Sequence, residues 1–459
     1  MSIPQPLSPV VQTIRRNGLS NIRHPALRDS PVRPRRTVNV RSALLLFHRW
    51  NGLFMAAFLA IIGVTGSLLA FNTELERVFA PQLFANVRPG VAPLDLATLA
   101  TRAEALVPGA RVRGVVFTEP DHVQVYTEPK IDPSTGRPYD LGFDELYLDP
   151  WTGAELGRRM RGDLSQGIIN LMPFVYEVHW TLTLGNFGWT FFGILAVLWT
   201  LDCFVGFYLT LPRGSGGFWR RWRVAWEVKW SASSFRVNLD LHRAAGLWLW
   251  IVLLFFAWSS VMMNLRPVYE RVIRIAFDYQ SPRESRTALP VPNERPRLNW
   301  HSAESAGEKL MAEQATLHGF QVEQPLGLAY NPETGTYTYE IRSSRDVFRR
   351  SPKGGSTYIE LDGNSGEFVS LFQPTGVRRG NTVESWLYAL HMARVFGRPY
   401  QIFVCVLGLF VTMLSVTGVY IWWRKREVRR FTASQAISFA NRRAAGSAAI
   451  PTPCEEGQL

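Results

Sequence analysis

Four long apolar runs set the first limit on how this chain can fold. They cover residues 52–71, 187–211, 246–265 and 400–423, and Asp202 is the one charged side chain among them. A helix crosses a bilayer with about 20 apolar residues, so the runs predict four transmembrane helices. Basic residues crowd one end of each run: eight arginines in 1–41, a cluster in 212–241, and Arg424-Lys425-Arg426 after the last. The positive-inside bias then puts both termini in the cytoplasm and residues 72–186 and 266–399 outside, in a bacterium the periplasm. Because the net charge of +13 sits beside apolar runs, it argues for a lipid bilayer as partner and against nucleic acid. Residues 1–41 read as a disordered basic cytoplasmic tail, since the apolar stretch that follows is too long for a signal peptide.

The composition agrees. The chain of 459 residues is 47% hydrophobic and 19% charged, with 16 tryptophans, where an average soluble protein is about 25% charged. Cys203, Cys405 and Cys454 all lie within or after apolar runs, so the polar segments have no disulfide framework, and no CxxCH occurs.

The chain also repeats. FHRWNGL at 47–53 and LHRAAGL at 241–247 each lead into an apolar run. His179 is followed by Gly185, Gly206 and Tyr208 at +6, +27 and +29, and His391 by Gly397, Gly418 and Tyr420 at the same offsets. ELYLDPWTGAE at 145–155 is echoed by YIELDGNSGE at 358–367, each with a D-x-x-x-G stretch suited to a tight turn between strands. Helical periodicity precedes each, at 94–107 and 302–315. The reading is an α-helical membrane protein of two duplicated units, each with an external α+β domain. Its segments are the tail 1–41, transmembrane helix 42–72, external domain 73–178, helix 179–212, cytoplasmic loop 213–241, helix 242–266, external domain 267–390, helix 391–424 and cytoplasmic tail 425–459.

Four of the eight histidines stand at membrane edges in matching pairs: His48 and His242 on the cytoplasmic side, His179 and His391 on the outer side. His24 falls in the tail, and His122, His301 and His318 in the external segments, where solvated or locally bonded roles are expected. Ionisable groups at such depths tend to mark function. Two neutral imidazoles are too few for a zinc site, which takes three or four protein ligands, but they suffice for haem iron, whose macrocycle supplies the other four nitrogens. Without CxxCH the haem is of b type. Arg49 and Arg243 follow two of the histidines directly, and Arg394 lies three after His391, placed to pair with propionates. Gly52, Gly246, Gly185 and Gly397 would let a macrocycle approach closely. Equal depth favours pairing His48 with His242 and His179 with His391.

The span–external domain–span layout, with YLDPWTGAELG and YIELDGNSGEF closing the external segments, resembles the PepSY-associated transmembrane family over roughly residues 41–430. The resemblance implies PepSY-like α+β external domains. It further implies, from members that are inner-membrane ferric-siderophore reductases, two haems b with His48, His179, His242 and His391 as axial ligands. Electrons would pass from a cytoplasmic or membrane donor to a periplasmic ferric siderophore or other iron(III) chelate, with no acid–base catalyst. The chelate would dock near 159–178 or 345–385. The alternatives are a non-enzymatic membrane-anchored PepSY protein that binds a periplasmic partner, and a transfer protein with another acceptor. A transporter is disfavoured because the spans look unbroken.

Overall fold

The computed structural model describes residues 39–447 apart from 215, 282–287 and 348–354. The expected tail up to residue 38, His24, Cys454 and part of the 345–385 segment lie outside the described residues. The first half of the chain forms α1 (Val40–Leu69), α2 (Asn72–Phe79), α3 (Leu96–Leu106), β1 (Ala110–Glu119), β2 (His122–Pro129), β3 (Glu145–Leu148), β4 (Glu155–Arg159), α4 (Leu171–Thr181), α5 (Gly185–Thr210) and α6 (Phe218–Arg223). The second half forms α7 (Ser234–Trp248), α8 (Trp250–Asn264), α9 (Arg266–Ala276), α10 (Trp300–His318), β5 (Val322–Asn331), β6 (Thr336–Ser343), β7 (Thr357–Asp362), β8 (Phe368–Phe372), α11 (Arg379–His391) and α12 (Gly397–Ser447).

Helices α1 and α5 and the Gly397–Thr432 part of α12 are long and apolar enough to cross a membrane; α7 and α8 qualify together but meet at a 69° bend. The third apolar run is therefore broken, where the sequence predicts an unbroken span. The break follows a change in polarity. Upstream of it α7 carries Asp240 ion-paired to Arg236 and Arg243, both at 2.9 Å, whereas α8 holds no charged residue. Helices α1 and α12 pack through small residues, as membrane helices do: a Cβ on Gly63 would run into Thr412 and the Gly408 carbonyl. The Ser67 hydroxyl donates to the Cys405 carbonyl at 2.7 Å across the same contact.

The strands pair antiparallel in the order β4-β3-β2-β1-β5-β6-β7-β8, which reads alike from either edge. The sequence gives each external segment a domain of its own; in the structure the two four-stranded sets join through β1 and β5 and share one core. Joining them hides two strand edges that separate modules would leave open. Helices α3 and α10 cover one face of the sheet. Asp95 caps α3 by accepting from Thr98 N at 2.7 Å, and Asn299 caps α10 by accepting from Ser302 N at 2.9 Å. Glu304 of α10 also accepts from the first amides of α3, Leu96 N at 3.1 Å and Ala97 N at 2.9 Å, where the helix dipole favours a carboxylate. The two D-x-x-x-G stretches are the β3–β4 and β7–β8 turns, with Gly153 and Gly366 at φ of 66° and 76°. Side chains alternate along a strand, so Tyr337, Tyr339 and Ile341 of β6 enter the core while Thr338 and Glu340 face the opposite way, into a cavity above the helix bundle.

Candidate functional site

The sheet-distal end of the bundle holds His48 and His242. His48, on α1, places Nδ1 at 3.0 and 2.9 Å from the two carboxylate oxygens of Asp202 on α5. His242, on α7, places Nδ1 at 3.1 Å from both the Leu414 carbonyl and the Thr417 hydroxyl of α12. Each ring rests on a glycine: a Cβ on Gly206 would lie 3.6 Å from His48 Cε1, and one on Gly418 would lie 3.3 Å from His242 Cε1. The repeated +27 glycines thus seat histidine rings. The two ring centroids are 6.3 Å apart with planes at 59°.

The sheet-proximal end holds His179 on α4 and His391 at the end of α11. His179 Nδ1 is 2.9 Å from the Thr65 hydroxyl of α1, and His391 Nδ1 is 2.7 Å from the Ser259 hydroxyl of α8. Both rings line one cavity of about 1380 Å³, walled by Leu59, Trp199 and Phe256 of the bundle and roofed by Thr338, Glu340 and Tyr358 of the sheet. Gly185 and Gly397, at φ of 56° and 65°, begin α5 and α12. They turn the chain from a histidine-bearing helix into the next apolar one, a backbone role for the +6 glycines. Gly52 and Gly246 face open space, with nothing within 4 Å of an added Cβ.

The hydrogen bonds assign the neutral tautomers. A carboxylate and a carbonyl only accept, so His48 and His242 carry the proton on Nδ1. The Thr65 hydroxyl donates to the Ile61 carbonyl at 2.7 Å and the Ser259 hydroxyl to the Phe256 carbonyl at 3.1 Å, so each is left to accept from its histidine. All four rings therefore keep the Nε2 lone pair for another partner. Thr65 and Ser259 escaped the sequence reading, although both lie 17 residues after a motif histidine, His48 and His242.

The three arginines divide. Arg49 lies over the Trp50 ring at 5.6 Å, and its Nε is buried without a hydrogen-bond partner. Arg243 bonds Asp240 at 2.9 Å and the Val224 carbonyl at 2.7 Å, and its Nε is likewise unpartnered. Arg394 lines the sheet-proximal cavity. Among the described residues no three His, Cys, Asp or Glu side chains converge as a metal site.

Of the other histidines, His301 and His318 are exposed, while His122 is buried on β2 with Nδ1 against the Thr118 hydroxyl. A buried charge network on the sheet also went unforeseen. Arg159 of β4 joins Glu76 of α2, Glu145 and Tyr147 of β3, and the Ile169 carbonyl, and no local motif announces it.

Apolar helices that reach membrane length, joined to an antiparallel sheet outside the bundle, define an α-helical, multi-pass membrane protein. Residues 45–425 match the family model of the PepSY-associated TM region, and the chain belongs to that family. No curated protein matches the chain.

Proposed function

We propose that the protein is a di-haem reductase of the bacterial inner membrane that passes electrons to a periplasmic ferric chelate such as siderophore-bound iron. The observation that carries this reading is the shared state of four histidines. Each is tied through Nδ1 to a neighbouring element, leaving Nε2 free, as metal-ligating histidines are held.

The residues fit the group. Two metal–imidazole bonds of about 2 Å each, plus the half-widths of two rings, place ring centroids about 6 Å apart, and His48 and His242 are 6.3 Å apart. His179 and His391 would hold a second haem in the cavity they share. The unpartnered Nε atoms of Arg49 and Arg243 are donors for propionates at the distal pair, and Arg394 is the donor at the proximal one. A bound haem supplies an iron that gains and loses one electron. The chain orients the rings and keeps water out between the pairs with Leu59, Trp199 and Phe256. Thr65 lies 17 residues beyond His48 on α1, about 25 Å of helix rise, a gap that two macrocycles would shorten.

In this reading α7 and α8 form one bent crossing, which makes four. The basic segments 212–241 and 424–430 lie in the cytoplasm with both termini, and the sheet lies in the periplasm. The chelate enters the sheet-side part of the cavity, beneath Thr338, Glu340 and Tyr358. One electron from a membrane quinol or a cytoplasmic reductant then converts one iron(III) to iron(II), which the hard oxygen ligands hold less tightly.

The test is the visible spectrum of protein purified from haem-replete cells. A low-spin bis-histidine spectrum with about two haems per chain is expected, and His391→Ala should remove one of them. A colourless preparation would overturn the reading and leave a membrane-anchored binding protein.

A further inference from the structure

The four histidines differ in what holds them. His179, His242 and His391 donate Nδ1–H to neutral acceptors: the Thr65 hydroxyl, the Leu414 carbonyl with the Thr417 hydroxyl, and the Ser259 hydroxyl. His48 donates to a carboxylate, Asp202, at 2.9 and 3.0 Å. Asp202 is 8% exposed and is the one charged residue in four apolar runs. Among the described residues no arginine or lysine pairs with it, and its hydrogen-bond partner is His48. The matching position in the second copy is Leu414, which lies 23 residues after His391 as Asp202 lies 23 after His179. There the chain offers His242 a backbone carbonyl in place of a charge. An intramembrane carboxylate is costly, and this one has been placed at one histidine of four.

We infer that Asp202 is a positioning residue that, through His48, makes the sheet-distal haem the lower-potential one of the two and so biases electrons toward the sheet. The inference rests on the di-haem reading. A carboxylate that accepts the Nδ1 proton raises the basicity of the ligating Nε2, which favours the more positive, oxidised iron. The negative charge itself acts the same way, and burial leaves it weakly screened. The sheet-proximal histidines meet hydroxyls only, so their iron is the easier to reduce. An electron entering at the distal pair then runs downhill toward the cavity.

The experiment is a spectroscopic redox titration of the haem-loaded protein in detergent, with Asp202→Asn, Asp202→Glu and His391→Ala beside wild type. Wild type should show two midpoints, and His391→Ala should keep the lower. Asp202→Asn should shift the reduction equilibrium of the lower centre about tenfold toward the reduced form, about 59 mV for one electron. It should leave the upper centre in place, and Asp202→Glu should restore most of the shift. Two midpoints that both ignore Asp202→Asn overturn the inference, as does a His391→Ala protein that keeps the higher midpoint. Because His391→Ala leaves Asp202 intact, it keeps the inference open to refutation even if Asp202→Asn fails to accumulate. Absence of haem from wild type is a separate outcome, which overturns the parent reading and this inference with it.

Discussion

Thr65 and Ser259 stand at the same offset from two motif histidines and hold the other two, His179 at 2.9 Å and His391 at 2.7 Å. Each hydroxyl sends its own proton to a carbonyl of its helix, so it meets the imidazole as an acceptor. Ser259 is fully buried, and Ser259→Ala would leave the Nδ1–H of His391 without an acceptor. An unsatisfied buried donor costs about 1–3 kcal/mol. The expected result is a lower melting temperature in detergent for Ser259→Ala and near wild-type melting for Ser259→Thr, which keeps the hydroxyl. Equal melting of the alanine variant and wild type would show that the bond carries no weight.

The apolar runs, the D-x-x-x-G turns and the helices at 94–107 and 302–315 were legible because each is a local pattern whose period reports one element. So were the four histidines, because they repeat at fixed offsets. The pairing of β1 with β5 was not legible, since nothing in either strand distinguishes an edge that meets another module from an edge that meets solvent. The bend at Leu249 was hidden for a different reason: hydropathy averages over the junction, and the signal lies in the ion-paired charges of α7 just upstream. Asp202 stood out as a charge in an apolar run, but its partner is 154 residues away, a distance that only the fold closes. Thr65 and Ser259 were readable in principle from their common offset of 17, yet hydroxyl residues are so ordinary in apolar helices that the coincidence draws no notice by itself.

The contact between α1 and α12 depends on two glycines facing each other. A Cβ on Gly408 would collide with Ser67 and the Gly63 carbonyl, and one on Gly63 with Thr412 and the Gly408 carbonyl. Backbone cannot yield as the end of a flexible side chain can, so Gly408→Ala must push the helices apart. Overpacking of this kind costs about 1–3 kcal/mol. Gly246→Ala, whose added Cβ meets open space in this structure, should not lower the thermal stability of the haem-free protein. Comparison of the two melting curves checks the prediction, and similar losses in both variants would remove the close approach as the cause.

Arg159 ties the sheet to the segments that enter and leave the bundle. Its guanidinium bonds Glu76, Glu145 at 3.0 Å, the Tyr147 hydroxyl at 2.6 Å and the Ile169 carbonyl at 2.9 Å, and both carboxylate partners are buried. Arg159→Met would strand two buried carboxylates, a loss of about 3–5 kcal/mol. Adding Glu76→Gln and Glu145→Gln removes the stranded charges and should recover a good part of it. The check is chemical denaturation of the three proteins; no recovery in the triple variant would mean that packing of the arginine stem, and not its charge, is what matters.

His122 should make the sheet sensitive to acid. The ring stacks on Phe84 at 4.2 Å between centroids, and its Nε2 is buried without a partner. Burial, and then the charge of Arg159, push its pKa down to about 3. Unfolded, the ring takes a proton near about 6.5. Between those values the unfolded state binds more protons than the folded one. Stability from this group is therefore complete above about pH 6.5 and lost as pH falls toward about 3, at up to about 1.4 kcal/mol per pH unit. Asp346, pushed up by burial to about 6, works the other way, its folded form favoured as pH drops from about 6 to about 4. Its contribution is common to wild type and His122→Phe, so the difference between them isolates the histidine. Melting temperatures measured from pH 4 to pH 7 should fall more steeply with acid in wild type than in His122→Phe, and parallel curves would mean that the buried ring is not the group responsible.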